Sequence, residues 1–223
     1  MSRPAKLLFA LSGVLVLIGC FSSPVLLPYP LLVLAYLRGW RLPIKGAPWL
    51  RLLLATALCT LVLECGAWLD NYLRNDSNPA LFHPQLIPDL IMGVGVYAAW
   101  WLTWWLMLRR YRFNTLQVFL TTGFYGIFIE QQGKIFLAGL AAMPIGLVFW
   151  AFVALAYGST MALAFFLVRD SFHAERDTRW KYPLAWAALF LLTFVTSWVW
   201  GLLLTMVNFN PPKKLPMHDD PLW

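Results

Sequence analysis

The sequence is poor in charged residues. Only 12% of its 223 residues are Asp, Glu, Lys or Arg, against about 25% in soluble globular domains. Several apolar runs approach the ~20 residues that a helix needs to cross a ~30 Å hydrocarbon core. The segments between these runs are too short to fold as a separate soluble domain. We therefore predict a single integral membrane domain, residues 1–223, in contact with the lipid bilayer.

The sequence also lacks the motifs of several enzyme classes. It has no Gly-x-Ser-x-Gly, no His-Glu-x-x-His and no Gly-rich phosphate loop, so nothing indicates a serine hydrolase, a metalloprotease or a nucleotide enzyme. The three cysteines, Cys20, Cys59 and Cys65, lie inside apolar segments without Cys-x-x-Cys spacing. Neither a disulfide framework nor a zinc site is indicated, and we predict no metal and no cofactor.

The excess of basic residues does not indicate nucleic-acid binding. The formal net charge is +7, but Lys and Arg occur in short clusters between apolar runs rather than on one basic face. Such clusters mark the cytoplasmic side of a membrane protein. We expect the clusters within 38–51, 109–112 and 169–181 to be cytoplasmic, and the protein to lie in the plasma membrane, which is the inner membrane of a bacterium.

The apolar runs predict an all-α fold, a polytopic transmembrane helix bundle of about six spans. Five of the runs are continuous and each predicts one helix. These five helices occupy residues 52–72, 88–108, 115–132, 145–168 and 183–207. A short turn ending near Pro144 joins the fourth span to the fifth, and a polar tail, 208–223, follows the last one.

The first apolar segment, residues 7–37, is broken by Pro24, Pro28 and Pro30. Proline is not tolerated inside an unbroken helix, so the sequence leaves two arrangements open. Either one long kinked helix crosses once, or two shorter pieces turn back as a re-entrant hairpin, which other helices must cover. Arg3 and Lys6 favour the hairpin. The segment also resembles a lipoprotein signal ending at Cys20, although an uncleaved anchor is the simpler interpretation.

Three acidic residues, Glu64, Asp89 and Glu130, lie in or at the edge of apolar runs. Ionisable side chains in hydrocarbon are costly and usually functional. At ~1.5 Å per residue, Glu64 lies roughly 20 Å beyond Arg51, and Glu130 lies roughly 27 Å beyond Arg112. Both positions are in the outer half of the membrane, and Asp89 begins the third span at the same height. We predict that the three carboxyls converge in one outward-facing pocket as catalytic groups.

Helical spacing places further polar residues beside these carboxyls. Residues three and four apart share a helix face. This spacing places Thr60, Trp68 and Asn71 on the same face as Glu64. Gly123 and Gly126 share a face with Glu130, where they would let another helix approach closely. The predicted substrate-binding residues are Thr60, Trp68, Asn71, Tyr125 and His83.

Such a pocket is suited to acid-base chemistry on, or binding of, a lipid or isoprenoid-like hydrophobic molecule. A carboxyl held in hydrocarbon can donate or exchange a proton near neutral pH, and indole faces stabilise a developing cation. Purely structural roles are the competing interpretation. Asp89 after Pro88 suits a helix N-terminus, and Glu64 could be protonated and hydrogen-bonded within the bundle.

Two other classes of protein remain open, as does whether the protein is an enzyme. One alternative is a non-catalytic membrane subunit or assembly factor that binds a membrane protein partner through small or polar helix faces. The faces in question are Ala154, Gly158 and Ala162 on one helix and Thr193, Ser197 and Trp200 on another. The other alternative is a small proton-coupled carrier, although the two halves show no inverted repeat.

Overall fold

The computed structural model describes residues 3–75 and 81–223, and within these ranges it is helical and contains no β-strand. The all-α prediction is confirmed for this part of the chain. The helices are α1 Arg3–Gly19, α2 Pro28–Arg38, α3 Pro48–Arg74, α4 Leu86–Arg110, α5 Thr115–Ile129, α6 Lys134–Ala141, α7 Gly146–Val168 and α8 Lys181–Met206.

In the described ranges, α3, α4, α7 and α8 are long and apolar enough to cross a membrane. They differ in how much of their surface the protein covers. The apolar window of α7 is 67% buried, whereas that of α8 is 11% buried. The α7 helix is therefore the centre of the bundle, and α8 lies at its edge with one face on α4 and α5.

Local sequence signals explain where several helices begin and end. Pro28 and Pro48 occupy the first turns of α2 and α3, where the missing N–H would have no helical acceptor. Gly39 and Asn75 follow the last residues of the same two helices with positive φ angles of 67° and 53°, the left-handed cap that closes many helices. Asn114 opens α5 in a reciprocal capping box with Gln117.

The Pro-broken first segment forms two helices that pack against each other. The Phe9 ring meets the Tyr36 ring edge-on at 5.5 Å, and Gly13 lies against Val33. Because the order of contacts is reversed along the chain, α1 and α2 run antiparallel. The chain turns back at residues 20–27 and places Arg3 beside the C-terminal end of α2.

The connector between α5 and α7 differs from the prediction of a short turn. The fourth predicted helix ends at Ile129 rather than at 132, because Gln131, Gln132 and Gly133 all have positive φ angles, 47°, 60° and 85°. The next eight residues form α6. This helix is too short to cross a membrane, so a search for runs of span length does not find it. It packs on α7 through the stacked rings of Phe136 and Trp150.

The two ends of the bundle have different chemistry. The basic end contains residues 38–51, 109–114 and 169–181, which carry most of the Lys and Arg residues. Main-chain hydrogen bonds of 2.9 Å hold this end together. Leu42 N donates to Leu167 O at the end of α7, and Arg112 N donates to Arg176 O. The opposite end, called the tail end here, contains loop 81–85 and the C-terminal tail 208–223.

Lys181 ties the basic end together. Its side chain is buried, and its Nζ donates to Arg112 O at 2.6 Å and to Gln117 Oε1 at 3.0 Å. The same ammonium forms an ion pair with the exposed Asp177. This hydrogen bond and charge hold the pKa of the Asp177 carboxyl below its usual value. One lysine thus joins the starts of α5 and α8 to the loop between α7 and α8.

Small residues let α5 and α7 pack in close contact. A Cβ added to Gly123 would lie 2.8 Å from the carbonyl oxygen of Ala154, and one added to Gly158 would lie 2.6 Å from that of Phe119. The close approach predicted for Gly123 is confirmed. The stripe that includes Ala154 and Gly158 faces α5 and is not available to another protein.

The polar face of α8 is also used inside the bundle. Trp200 Nε1 donates to Ile91 O at 2.7 Å, Ser197 packs against Gly95, and Thr193 bonds Tyr125. Each of these contacts is made with α4 or α5. These faces therefore pack within the bundle, which was the competing interpretation of the two stripes, and they offer no support for contact with a partner protein.

We expect Gly123→Ala to destabilise the bundle and Gly201→Ala to leave it unchanged or slightly more stable. The new methyl at position 123 meets backbone, an overpacking that costs about 1–3 kcal/mol, whereas nothing lies within 4 Å of a Cβ at the exposed Gly201. Thermal unfolding of both variants in the same detergent tests this. Equal unfolding temperatures would show that the α5 and α7 contact is not close.

Candidate functional site: an enclosed carboxyl cluster

The structure brings together the three acidic residues singled out in the sequence. Glu64 lies on α3, Asp89 in the first turn of α4, and Glu130 directly after α5. The Glu64 carboxyl lies near those of Asp89 and Glu130. Three different helices therefore deliver one carboxyl each to the same region, in the half of the bundle nearer the tail end.

The two oxygens of Asp89 have different surroundings. Oδ1 accepts hydrogen bonds from the main-chain N–H groups of Phe82 at 2.8 Å and His83 at 3.1 Å. Oδ2 is buried and receives no hydrogen bond from the described N–H and hydroxyl groups, and the Glu64 carboxyl lies nearby. Asp89 therefore holds the preceding loop as well as facing Glu64, a more specific role than an interaction with the helix dipole.

Glu130 is bonded by a residue that the sequence analysis did not identify. The hydroxyl of Tyr157 on α7 donates to Glu130 Oε2, and its ring packs on Gly126 and on Trp100, with a centroid distance of 5.1 Å to Trp100. In the sequence, Tyr157 is a single tyrosine in the middle of the apolar run that forms α7. Spacing within one helix could not show that it contacts an acidic residue on another segment.

Tyr125 lies beside the cluster but bonds away from it. Its buried hydroxyl is 2.7 Å from Thr193 Oγ1 on α8, and its ring meets Trp100 edge-on at 6.4 Å. Tyr125 therefore links α5 to α8 and presents aromatic surface near the carboxyls. Its hydroxyl already has a protein partner.

The three polar residues predicted to share the Glu64 face have local partners. Thr60 Oγ1 donates to Thr56 O at 2.9 Å and Asn71 Nδ2 donates to Ala67 O at 2.8 Å, both within α3. Trp68 Nε1 donates to Pro84 O at 2.9 Å and so helps to hold the loop before α4. These bonds stabilise the walls around Glu64 rather than offer donors to a ligand.

His83 is buried, and both of its ring nitrogens are used. Nδ1 accepts a hydrogen bond from Gln85 N at 3.2 Å, so the proton is on Nε2, which lies 3.0 Å from Pro212 O. The ring therefore holds the C-terminal tail and does not point a free nitrogen at the cluster. Its predicted role in substrate binding has no support in this geometry.

The C-terminal tail covers the tail end beside the cluster. Gln85, which sequence reasoning did not single out, is buried and donates to the carbonyls of Leu215 and Asp220 at 3.0 and 2.9 Å. The main-chain N–H groups of Leu86 and Ile87 bond carbonyls of the last three residues. Loop 81–85 thus connects the Asp89 carboxylate to the tail.

The cluster is largely enclosed by protein. Protein surrounds Glu64, Glu130 and Tyr157 on nearly all sides, yet each retains some accessible surface. Among the described residues, no Lys, Arg or His forms an ion pair with the three carboxyls. In the same ranges, no three His, Cys, Asp or Glu side chains are arranged to hold a metal ion.

Two clefts lie elsewhere in the bundle. An open cleft of about 760 Å³ at the basic end is lined by the start of α5, the end of α7 and the loop that follows α7. A smaller cleft of about 340 Å³ lies between α2, α3 and α7, with almost entirely apolar walls. Neither cleft includes a carboxyl of the cluster.

In the described ranges, four helices are long and apolar enough to cross a membrane, which indicates a helical membrane protein. The fold does not specify its activity, because helix bundles of this kind serve many functions. Comparisons with protein-family models, with curated proteins and with solved structures find no match to this chain. The functional argument therefore depends on the geometry of the site.

Two variants of Asp89 separate its role in holding loop 81–85 from its role as an acidic group of the cluster. Asp89→Ala leaves two main-chain N–H groups without an acceptor, each costing about 1–3 kcal/mol when buried, and should release loop 81–85 and the tail. Asp89→Asn keeps the Oδ1 acceptor and should hold them. Limited proteolysis of the tail measures the difference, with faster cleavage expected in the Ala variant. Equal cleavage of both variants would contradict the role of Oδ1.

Proposed function

We propose that the carboxyl cluster of Glu64, Asp89 and Glu130 is the site of a membrane protein that binds a hydrophobic, lipid or isoprenoid-like molecule and exchanges a proton with it. The observation that carries the proposal is that three carboxyls from three parts of the chain lie near one another without a cationic partner among the residues that the structure describes. Structural roles do not require such an arrangement, since a single polar pair is enough to join two helices.

We propose that Glu64 and Asp89 share one proton. Two carboxyls in contact form a hydrogen bond only if one of them is protonated. Asp89 is the better candidate for the ionised partner, because Oδ1 already accepts two N–H donors. Glu64 then carries the proton and donates a hydrogen bond to Asp89. The Tyr157 hydroxyl donates a hydrogen bond to Glu130.

This arrangement supports protonation of a carbon–carbon double bond. Transfer of the Glu64 proton to the substrate forms a C–H bond and leaves a cation on the neighbouring carbon. The carboxylates and the nearby faces of Trp100 and Tyr157 stabilise that positive charge. Loss of another proton from the substrate to a carboxylate restores the site, so the net reaction is the isomerisation of a double bond.

The proposal requires that such a molecule can reach the carboxyls, and the solvent-accessible surface left on these side chains supports this access. Glu64, Glu130 and Tyr157 are surrounded by protein yet incompletely covered. The tail covers the end of the bundle beside α4, so we propose that the substrate enters sideways from the bilayer. Exclusion of water by this cover protects a cationic intermediate.

The same proposal includes a topology with the basic end in the cytoplasm, as expected for the inner membrane of a bacterium. We infer that α5 is a short fifth crossing beside α3, α4, α7 and α8, and that the antiparallel α1 and α2 enter from the cytoplasm and return to it as a hairpin. The basic residues Arg3 and Lys6 then lie on the same side as the other basic clusters.

Single-cysteine labelling tests the topology. In a background with the three native cysteines replaced, Arg3→Cys and Ala174→Cys should react with a membrane-impermeant maleimide only after cells are permeabilised. Lys213→Cys in the tail should react in intact cells. Labelling of Arg3→Cys in intact cells would show that the first segment crosses once and would refute the hairpin.

Glu64→Gln tests the site. Gln keeps the size of the side chain but supplies no exchangeable acid, so we expect the variant to fold and to lose a co-purified hydrophobic molecule or its conversion. Native mass spectrometry of protein extracted gently from its own membrane measures bound small molecules, and thermal unfolding checks the fold.

Asp70→Asn is the matched control for Glu64→Gln. Asp70 lies on the same helix but bonds Ser23 and Arg74 at the tail end, so its variant should retain the molecule. Equal retention in the Glu64 and Asp70 variants would contradict the proposed site. Recovery of a stoichiometric protein partner without any small molecule would instead favour a non-catalytic subunit.

A further inference from the structure

An open cleft lies at the basic end, far from the carboxyl cluster. Its volume of about 760 Å³ is within the usual range of small-molecule sites, about 300–1,000 Å³. Three separate parts of the chain form it: residues 112–115 before and at the start of α5, the C-terminal end of α7, and residues 172–175. The acid-base site uses none of these residues.

Cationic groups from two of these parts face the cleft. Arg169 is fixed, because its guanidinium lies 3.5 Å from the centre of the Phe166 ring and donates to Phe166 O. Arg112 is exposed, and within the described ranges its guanidinium forms no hydrogen bond or ion pair. His173 lines the cleft beside them. The cleft therefore combines a fixed cation with one that is free to bind a ligand.

The start of α5 adds main-chain donors to the same cleft. Asn114 and Thr115 line it, and the capping box uses the N–H of Gln117 but not those of Thr115 and Leu116. Free N–H groups and the helix dipole favour an anion at this position. Together with two guanidinium groups they match the oxygens of a phosphate, which Arg binds with charge-assisted hydrogen bonds.

The protein holds this arrangement in place without a ligand. Arg112 N donates to Arg176 O at 2.9 Å, and the buried Lys181 donates to Arg112 O. These bonds fix the main chain of Arg112 and join it to the loop that follows α7. Preorganised sites bind more tightly because less freedom is lost on binding.

Glu175 is the only acidic side chain among the residues that line the cleft. A carboxylate beside the cations weakens the binding of a simple anion but favours a ligand that carries a positive group next to its phosphate. We propose that this cleft binds a phosphoethanolamine group, with the phosphate at Arg112, Arg169 and the start of α5 and the ammonium at Glu175.

Two sources supply this chemistry, a phosphatidylethanolamine headgroup in the adjoining leaflet and a soluble phosphoethanolamine. The aromatic walls, Phe113, Phe165 and Phe172, suit the apolar part of a lipid. Titration of the delipidated full-length protein with short-chain phosphatidylethanolamine, phosphatidylglycerol and free phosphoethanolamine distinguishes the sources, with native mass spectrometry measuring the bound fraction.

The expected result is binding of phosphatidylethanolamine in preference to phosphatidylglycerol. Arg112→Gln should weaken binding of both lipids by roughly tenfold or more, the usual effect of losing a charged hydrogen bond. Glu175→Gln should remove the preference between them. Arg179→Gln, in the same loop but not lining the cleft, is the matched control and should bind as the unaltered protein does.

Three outcomes would overturn the proposal: no binding of any of the three ligands, equal affinity in the Arg112 and Arg179 variants, or an unchanged lipid preference in Glu175→Gln. Binding of free phosphoethanolamine as tight as that of the lipid would identify the soluble source and keep the proposed chemistry. Because the Arg112 guanidinium has no described intramolecular partner, its variant should fold normally, and thermal unfolding checks this.

Discussion

A polar group inside an apolar bundle has no water to bond, so it must find its partner within the protein. This constraint accounts for much of the helix arrangement. Glu64 meets Asp89, Tyr157 donates to Glu130, and Tyr125 bonds Thr193. These pairs join α3 to α4, α5 to α7, and α5 to α8. Apolar side chains alone specify such neighbours weakly, because lipid tails satisfy them equally well.

Asp89 links the buried cluster to the surface of the protein. One of its oxygens holds the main chain of loop 81–85, and the other is left to Glu64. The loop in turn binds the C-terminal tail through His83 and Gln85. Asp89 and loop 81–85 therefore connect the cluster to the tail by hydrogen bonds.

The two proposed sites lie at opposite ends of the bundle and have opposite chemistry. The carboxyl cluster is enclosed and has no described cationic partner, whereas the cleft at the basic end is open and contains two guanidinium groups. At the basic end, polar contacts join the segments. The Lys181 ammonium bonds Arg112, Gln117 and Asp177, and so connects the starts of α5 and α8 to the loop between α7 and α8. Each end thus has its own means of holding the helices together.

The sequence alone determined the class of fold and the approximate position of every long helix. Apolar runs of span length, proline at helix starts and the Asn114 capping box are local features, and local features set where a helix begins and ends. The height of Glu64, Asp89 and Glu130 followed from the rise per residue. Acidic side chains are rare inside apolar segments, so the sequence already singled out these three positions.

Only the tertiary structure decided which helices are neighbours, because periodicity fixes height and face but not the partner. It identified Tyr157 as the donor to Glu130, turned α2 back along α1, and formed α6 where the sequence predicted a turn. It also placed the His83 ring against Pro212, a residue 129 positions away. Contacts of this kind depend on the packing of the whole bundle, and no short stretch of sequence encodes them.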